Sequence, residues 1–302
     1  MRAVNWVQVA RLVHQFEPEV IRLEWKVMTF NLRTNVPSDG DNAWPHRPQA
    51  VAKAILRHDP DVVCVQEALY AMLLDLAPLL PAYAWVGEGR RGGQADEHCA
   101  IWYKKRKAAV AEYGSFGLSE TPELLGELGW GADYPRMCTW ARLVAKADEG
   151  ENGGNGGNGG NGGNGRNEGG LTVFNTHLDH VSEPAQVNGM RLILDRIGAL
   201  RARSGTPVVL TGDFNVGPGH AVVRGLEQAG YVNGYSALLG GGGAGAAGAT
   251  FHDFRGGEAG EPIDYIFASP DVVVSQIEVD RGQYEGRYPS DHYPVCAVLS
   301  AK

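Results

Sequence analysis

Short apolar runs that end abruptly in a polar side chain recur along the whole chain. Lys26 to Arg33 alternates its apolar positions as a strand does and ends at Asn31. Val62 to Val65 is uninterrupted by any polar residue and closes in Gln66-Glu67, and Leu171 to Thr176 leads into His177. Pro207 to Leu210 delivers Thr211-Gly212-Asp213-Phe214-Asn215 and then the turn residues Gly217-Pro218-Gly219. Ile263-Asp264-Tyr265-Ile266-Phe267 and the segment from Ser290-Asp291-His292 to Leu299 complete the set. Between these runs the apolar spacing turns helical, in Pro48 to His58, Ala68 to Leu76, Gln186 to Arg203 and Gly219 to Gln228. Tyr83 to Gly87, Cys99 to Tyr103, Cys138 to Val144 and Val272 to Val279 read as further strands, and Ser119 to Pro135 as a long loop anchored by Trp130 and Tyr134. Numerous strands with helices between some of them predict an α+β fold: a four-layer α/β/β/α sandwich of two packed mixed sheets flanked by helices.

Two stretches depart from this pattern. Residues 1–25 carry Val9, Leu12, Val13 and Phe16 at helical spacing and read as an N-terminal extension with a short amphipathic helix, ahead of one catalytic domain over 26–300. Residues 151–168 contain an Asn-Gly-Gly repeat without apolar residues, which cannot offset the entropy of ordering and is expected to be a disordered insertion. The Gly240 to Ala249 tract reads as a flexible loop.

Composition narrows the class. A chain of 302 residues with 43% hydrophobic side chains has ample core material, and no segment is continuously apolar over the length of a membrane span or a secretory signal. Cys64, Cys99, Cys138 and Cys296 lie in or beside apolar runs without paired spacing and read as reduced core residues, so an intracellular, cytoplasmic protein is expected. The formal charge of −8, from 27 basic and 35 acidic residues, argues against a surface built for a long polyanion. The dense basic run Lys104-Lys105-Arg106-Lys107 reads as a solvated turn.

One polar strand end is ordinary. Repetition of Asn31, Glu67, His177, Asp213 with Asn215, Asp264, and Asp291 with His292 points to side chains converging on one rim, with hard oxygen ligands that favour Mg²⁺ or Mn²⁺ over zinc. His177 and His180 bring no third ligand at a recognised zinc spacing, and adjacent residues such as Ser290-Asp291-His292 do not make a serine-hydrolase triad. A phosphoester is anionic and repels hydroxide, so its hydrolysis needs a cation, an oriented water and a proton donor. Acids, amides, histidines and Arg136 supply those roles.

Taken in order, the Asn31 strand, Gln66-Glu67, Asn175-Thr176-His177-Leu178-Asp179-His180, Gly212-Asp213-Phe214-Asn215, Ile263-Asp264-Tyr265 and Ser290-Asp291-His292 resemble the endonuclease/exonuclease/phosphatase superfamily. Together with Ser119-Glu120-Thr121-Pro122 they look most like a branch of small microbial members, from which the glycine tracts and Gly117, where that branch tends to have a bulky aromatic, depart. The resemblance implies a metal-dependent phosphoesterase in which Glu67, with Asn31 and Asp291 near it, holds Mg²⁺ or Mn²⁺. By the same resemblance His292, oriented by Asp264, stabilises or protonates a phosphoryl oxygen, and Asp213 and Asn215 position the attacking water. His177 and Arg136 contact the phosphate, and Glu97 fixes the tautomer of His177. A monomer acting on a small phosphoester is expected, with DNA or RNA cleavage as the alternative and a non-catalytic binding module as the reading from a different class.

Overall fold

The computed structural model describes residues 23–146, 169–239 and 244–302. The expected N-terminal helix and the Asn-Gly-Gly insertion lie outside the described residues. Twelve strands form two six-stranded mixed sheets. In chain order they are β1 (Glu24–Asn31), β2 (Val62–Gln66), β3 (Tyr83–Val86), β4 (Ile101–Lys104), β5 (Ala108–Gly117) and β6 (Met137–Ala145), then β7 (Leu171–His177), β8 (Val208–Asp213), β9 (Val232–Asn233), β10 (Asp264–Ala268), β11 (Val272–Val279) and β12 (Val295–Ala301). The first sheet runs β11-β12-β1-β2-β4-β3 and the second β5-β6-β7-β8-β10-β9.

Each sheet has a parallel pair at its centre, β1 with β2 and β7 with β8, and the unbroken apolar runs of β2 and β8 belong to these pairs. Every residue of β2, β7 and β8 is buried. The alternation of β1 sends Val27 into the core shared with the second sheet, while Met28 and Phe30 join Val51, Ile55, Leu73 and Leu76 under the helices Pro48–His58 and Tyr70–Leu76. On the second sheet, Phe174 packs in one cluster with Ile193 and Ile197 of the helix Glu183–Ser204 and Val223 and Leu226 of Ala221–Gln228. The predicted four-layer α/β/β/α sandwich is therefore the observed architecture. All four cysteines are buried and unbonded, and no helix among the described residues is long and apolar enough to cross a membrane.

Between the sheets, just below the rim, runs a polar bridge. Gln66 Nε2 donates to Asn175 Oδ1 at 2.6 Å and to Thr29 Oγ1 at 3.1 Å, and Asn175 Nδ2 donates to the carbonyls of Val65 and Ala100 at 2.9 and 3.0 Å. Buried amides bonded to one another across two sheets fix how the sheets sit, and so fix Glu67, one residue beyond Gln66, and His177, two beyond Asn175. Gly212 serves the same end: a Cβ there would lie 2.0 Å from the Thr176 carbonyl, so glycine alone lets β8 close on β7.

Some local readings differ. Lys104 is not part of a solvated run: it ends β4 with its ammonium buried against Asp59, 2.8 Å away, and only the residues after it turn. β5 follows that turn as an edge strand rich in Ala and Gly, a pattern too weakly apolar to read as a strand. Ala244–Ala247 forms a 3₁₀ turn within the tract expected to be a flexible loop. The unexpected Gly117 has a physical account, since a Cβ there would come within 3.0 Å of the Leu124 carbonyl in the overlying loop.

Candidate active site

The strand ends of both sheets meet in a cavity of about 440 Å³ lined by Glu67, Glu97, Arg136, His177, Asp213, Asn215, Asp291 and His292, among others. Asp264 lies behind His292. Three lining residues, Arg33, Glu67 and Asn215, hold left-handed backbone with φ of 53°, 61° and 54°. Each stands one or two residues past the end of a strand, and strain of this kind persists only where the surroundings impose it.

From the second sheet, Asp213 is the last residue of β8. Asn215 does not extend in line with it, as two-residue spacing on a strand would predict. The chain turns, Asn215 N donates to Asp213 Oδ1 at 2.9 Å, and Asn215 Nδ2 swings to His177 Nε2 at 2.9 Å and the Leu178 carbonyl at 3.0 Å. Because His177 Nε2 accepts there, the imidazole is neutral, and burial followed by the charge of Arg136 holds its pKa well below the usual range. Asp264, the first residue of β10, sits opposite Asp213 in the antiparallel register and receives His292 Nδ1 at 2.9 Å. His292 Nε2 faces Asp213 Oδ2 at 3.7 Å. Burial opposes the charging of His292, but the carboxylates of Asp264 and Asp213 outweigh it and raise its pKa. Burial, then the charge of Asp264, raises that of Asp213.

From the first sheet, Asn31 spends both amide hydrogens on carboxylates, reaching Glu67 Oε1 at 2.9 Å and Asp213 Oδ2 at 3.0 Å, while its oxygen accepts from Arg33 N. It thereby ties the two walls together. Glu67 Oε2 accepts from Thr34 N at 2.9 Å, and Asp291 Oδ1 from Ser290 Oγ at 3.1 Å. Arg33 stands 3.7 Å from Asp291 but is engaged with Asp39 at 2.9 Å. Glu67 and Asp291 are thus hard-oxygen groups whose contacts are mostly neutral donors, an arrangement that fits a divalent cation. Asp213, Asp264 and His292 also bring ligand-type atoms within 4.8 Å of one another. There, however, Nδ1 of His292 is committed to Asp264, and the cluster holds a proton between its members.

Glu97 does line the cavity, but its carboxylate takes Arg90 Nη1 at 3.0 Å and makes no hydrogen bond with His177. Burial and the charge of Glu67 push its pKa up to about 7. Arg136 reaches His180 Nδ1 at 3.2 Å and stands 3.8 Å from Asp179, whose oxygens are already taken by the backbone N–H groups of Val181, Ser182 and Asp133. Its charge is left available to an anion.

Sequence reasoning missed Arg47. Fully buried, it donates to the carbonyls of Leu32 at 2.6 Å, Arg33 at 2.8 Å, Asn42 at 2.6 Å and Pro289 at 2.9 Å, which locks the end of β1 to the segment carrying Asp291 and His292. Only its place in a polar turn after Trp44 was visible, and such turns are common. Tyr134, expected as an anchor of its loop, lies half-exposed and lines the cavity, as does Phe251.

Comparison with known proteins agrees with this geometry. Residues 28–292 match the model of the Endonuclease/Exonuclease/phosphatase family. A crystal structure of a family protein from Bacteroides thetaiotaomicron is 29% identical, covering 93% of this chain and 99% of that one at a TM-score of 0.79. A second, from Bacteroides vulgatus, is 31% identical over 92% and 99% at 0.78. A mannosyl-6-phosphatase of Bacteroides thetaiotaomicron is 30% identical over 91% and 99% at 0.78. A search of the curated proteins found no match. With the family match covering every strand end that builds the cavity, the chain belongs to the endonuclease/exonuclease/phosphatase family.

Proposed function

We propose that this protein hydrolyses a phosphate ester of a small hydroxylated molecule, most simply a sugar phosphate, by in-line attack of water. The observation that carries the reading is the meeting, in one cavity, of a buried His292–Asp264 proton couple facing Asp213 with the acids Glu67 and Asp291. In this reading Asp213 takes a proton from the attacking water, which Asn215 holds in line. As the new O–P bond forms and the ester P–O bond breaks, protonated His292 offers Nε2–H to the phosphoryl oxygen on which charge builds, and the leaving oxygen is protonated from cavity water. Arg136 and neutral His177 hold the remaining phosphoryl oxygens. Mg²⁺ or Mn²⁺ held by Glu67 and Asp291, with Asn31 alongside, would neutralise the phosphate.

Two further observations support a small ester over a nucleic acid. Acidic residues outnumber basic ones, 35 to 27, which does not suit a phosphate-tracking face, and the similar mannosyl-6-phosphatase is named for a sugar phosphate. The test is phosphate release from hexose 6-phosphates, simple monoesters and diesters, alongside nicking of plasmid DNA, with Mg²⁺ or Mn²⁺. Turnover of monoesters that disappears with EDTA and returns with metal is expected, as is a Glu67→Gln variant that needs far more metal for half-activation. Full activity after chelation would remove the metal from the reading, and plasmid nicking without small-ester turnover would replace the substrate class.

A further inference from the structure

Two aromatic rings that line the cavity stay half-exposed: Tyr134 at 48% and Phe251 at 45%. Neither ring is loose. Tyr134 has the Arg90 guanidinium over its ring at 5.2 Å and that of Arg136 at 6.0 Å, and it stacks on His180 at 6.0 Å with 25° between planes. Arg90 is itself fixed by Asp96 and Glu97, each at 3.0 Å. Phe251 lies 5.1 Å from the His292 ring and its backbone bridges to that residue, while the following Asp253 and Phe254 sit in left-handed conformation. One ring is therefore attached to the group placed to hold the phosphate and the other to the group placed to give the proton. A ring held rigidly and half-exposed beside a polar cavity offers apolar area that a ligand gains by covering.

From this geometry we infer that Tyr134 and Phe251 form a leaving-group subsite that selects phosphate esters of ring-bearing alcohols, a pyranose or a nucleoside, over acyclic ones. The inference rests on the phosphoesterase reading for where the phosphate sits. A sugar ring offers a face of C–H groups and a nucleobase a π-face, and both stack on fixed aromatics, whereas a flexible acyclic alcohol has no flat face and must lose rotamer freedom to cover them.

The experiment measures binding separately from turnover. With Mg²⁺ present, glucose 6-phosphate, adenosine 5′-monophosphate and glycerol 3-phosphate are titrated calorimetrically into an Asp213→Asn protein, and KM values are taken in parallel for the wild type. Both cyclic esters, or one of them, should bind about tenfold more tightly than glycerol 3-phosphate, and which one does so identifies the ring. Tyr134→Ala and Phe251→Ala should collapse that ratio, while Tyr134→Phe, which keeps the ring, should preserve it. Equal affinity for cyclic and acyclic esters, binding of none, or a preference that survives both alanine variants overturns the subsite. Absence of turnover with the preference intact would instead overturn the hydrolytic reading, so the two failures are distinguishable.

Discussion

Two buried histidine–aspartate pairs in this molecule share one hydrogen-bond length and differ in nearly everything else. His292 Nδ1 meets Asp264 at 2.9 Å, and His58 Nε2 meets Asp280 at 2.9 Å. Asp280 is fully subscribed: it also accepts from Gly282 N at 2.9 Å and from the Tyr284 hydroxyl, so that helix Pro48–His58 is pinned to the segment after β11. Burial would raise its pKa, but the hydrogen bonds from His58, Tyr284 and Gly282 overcome this and bring it down to about 2. At the other pair Asp264 Oδ1 has no hydrogen-bond partner among the described residues, and His292 Nε2 looks across 3.7 Å at a second carboxylate, too far for a hydrogen bond. A satisfied pair is a clasp. A pair with unmet bonding capacity, a second acid and open volume beside it is equipped to move a proton.

The sharpest way to break this comparison is to remove each histidine. His292→Gln, like Asp213→Asn, should lower kcat by about 10²- to 10⁴-fold, the range for losing a positioned acid or base. His58→Gln should leave kcat within about twofold, since His58 touches nothing in the cavity. Phosphate-release assays on proteins with matched circular dichroism decide it, and similar losses for His58→Gln and His292→Gln would erase the distinction.

A smaller effect, on the order of tenfold, is expected for Asp264→Asn at neutral pH, and its diagnostic is the pH profile. The pKa of His292 is raised because the carboxylates of Asp264 and Asp213 overcome burial. Activity that needs the imidazolium is therefore present below that raised value and lost as pH climbs through it. Removing the charge of Asp264 lowers the value, so the alkaline limb of log kcat should move to lower pH. An unmoved limb would mean that His292 does not carry the titrating proton.

The contrast also explains what could be read from residue order alone. Asn31, Glu67, His177, Asp213 and Asp264 stand at the ends of strands that are largely buried, or in the next position, and such strands announce themselves as short, mostly apolar runs bounded by a polar residue. Their convergence followed from the layered fold that those runs imply. His58 was legible only as the last residue of a helix, because its partner lies 222 positions away and nothing local marks it. The partners of Arg47, Asn175, Tyr134 and Phe251 were hidden for the same reason: Arg47 answers to carbonyls from four separate positions, Asn175 to the opposite sheet, and the two rings to cavity groups brought together only by folding. Glu97 was found as a residue and assigned to His177, but an arginine seven positions earlier, folded back by the glycine turn between them, competes for its carboxylate.

The smallest expected effect belongs to the clasp and is one of stability. Asp280→Asn keeps the shape of the side chain and removes its charge, so it should cost about 1–2 kcal/mol, the excess of a hydrogen bond to a charged group over one to a neutral group. For a chain of this size that is a fall in Tm of roughly 2–3 °C with kcat at 25 °C unchanged. The pH dependence fixes its origin. A carboxyl held at about 2 in the folded state, against about 3.9 in the unfolded chain, contributes stability that is fully present above the unfolded value and is lost as pH falls toward the folded one. The Tm gap between wild type and Asp280→Asn should hold steady from pH 7 to pH 5 and narrow below pH 4, because protonated Asp280 and asparagine then carry the same charge. A gap that stayed constant down to pH 3 would assign the loss to packing around Tyr284, and the His58 pair would no longer stand as the charged counterpart of His292 and Asp264.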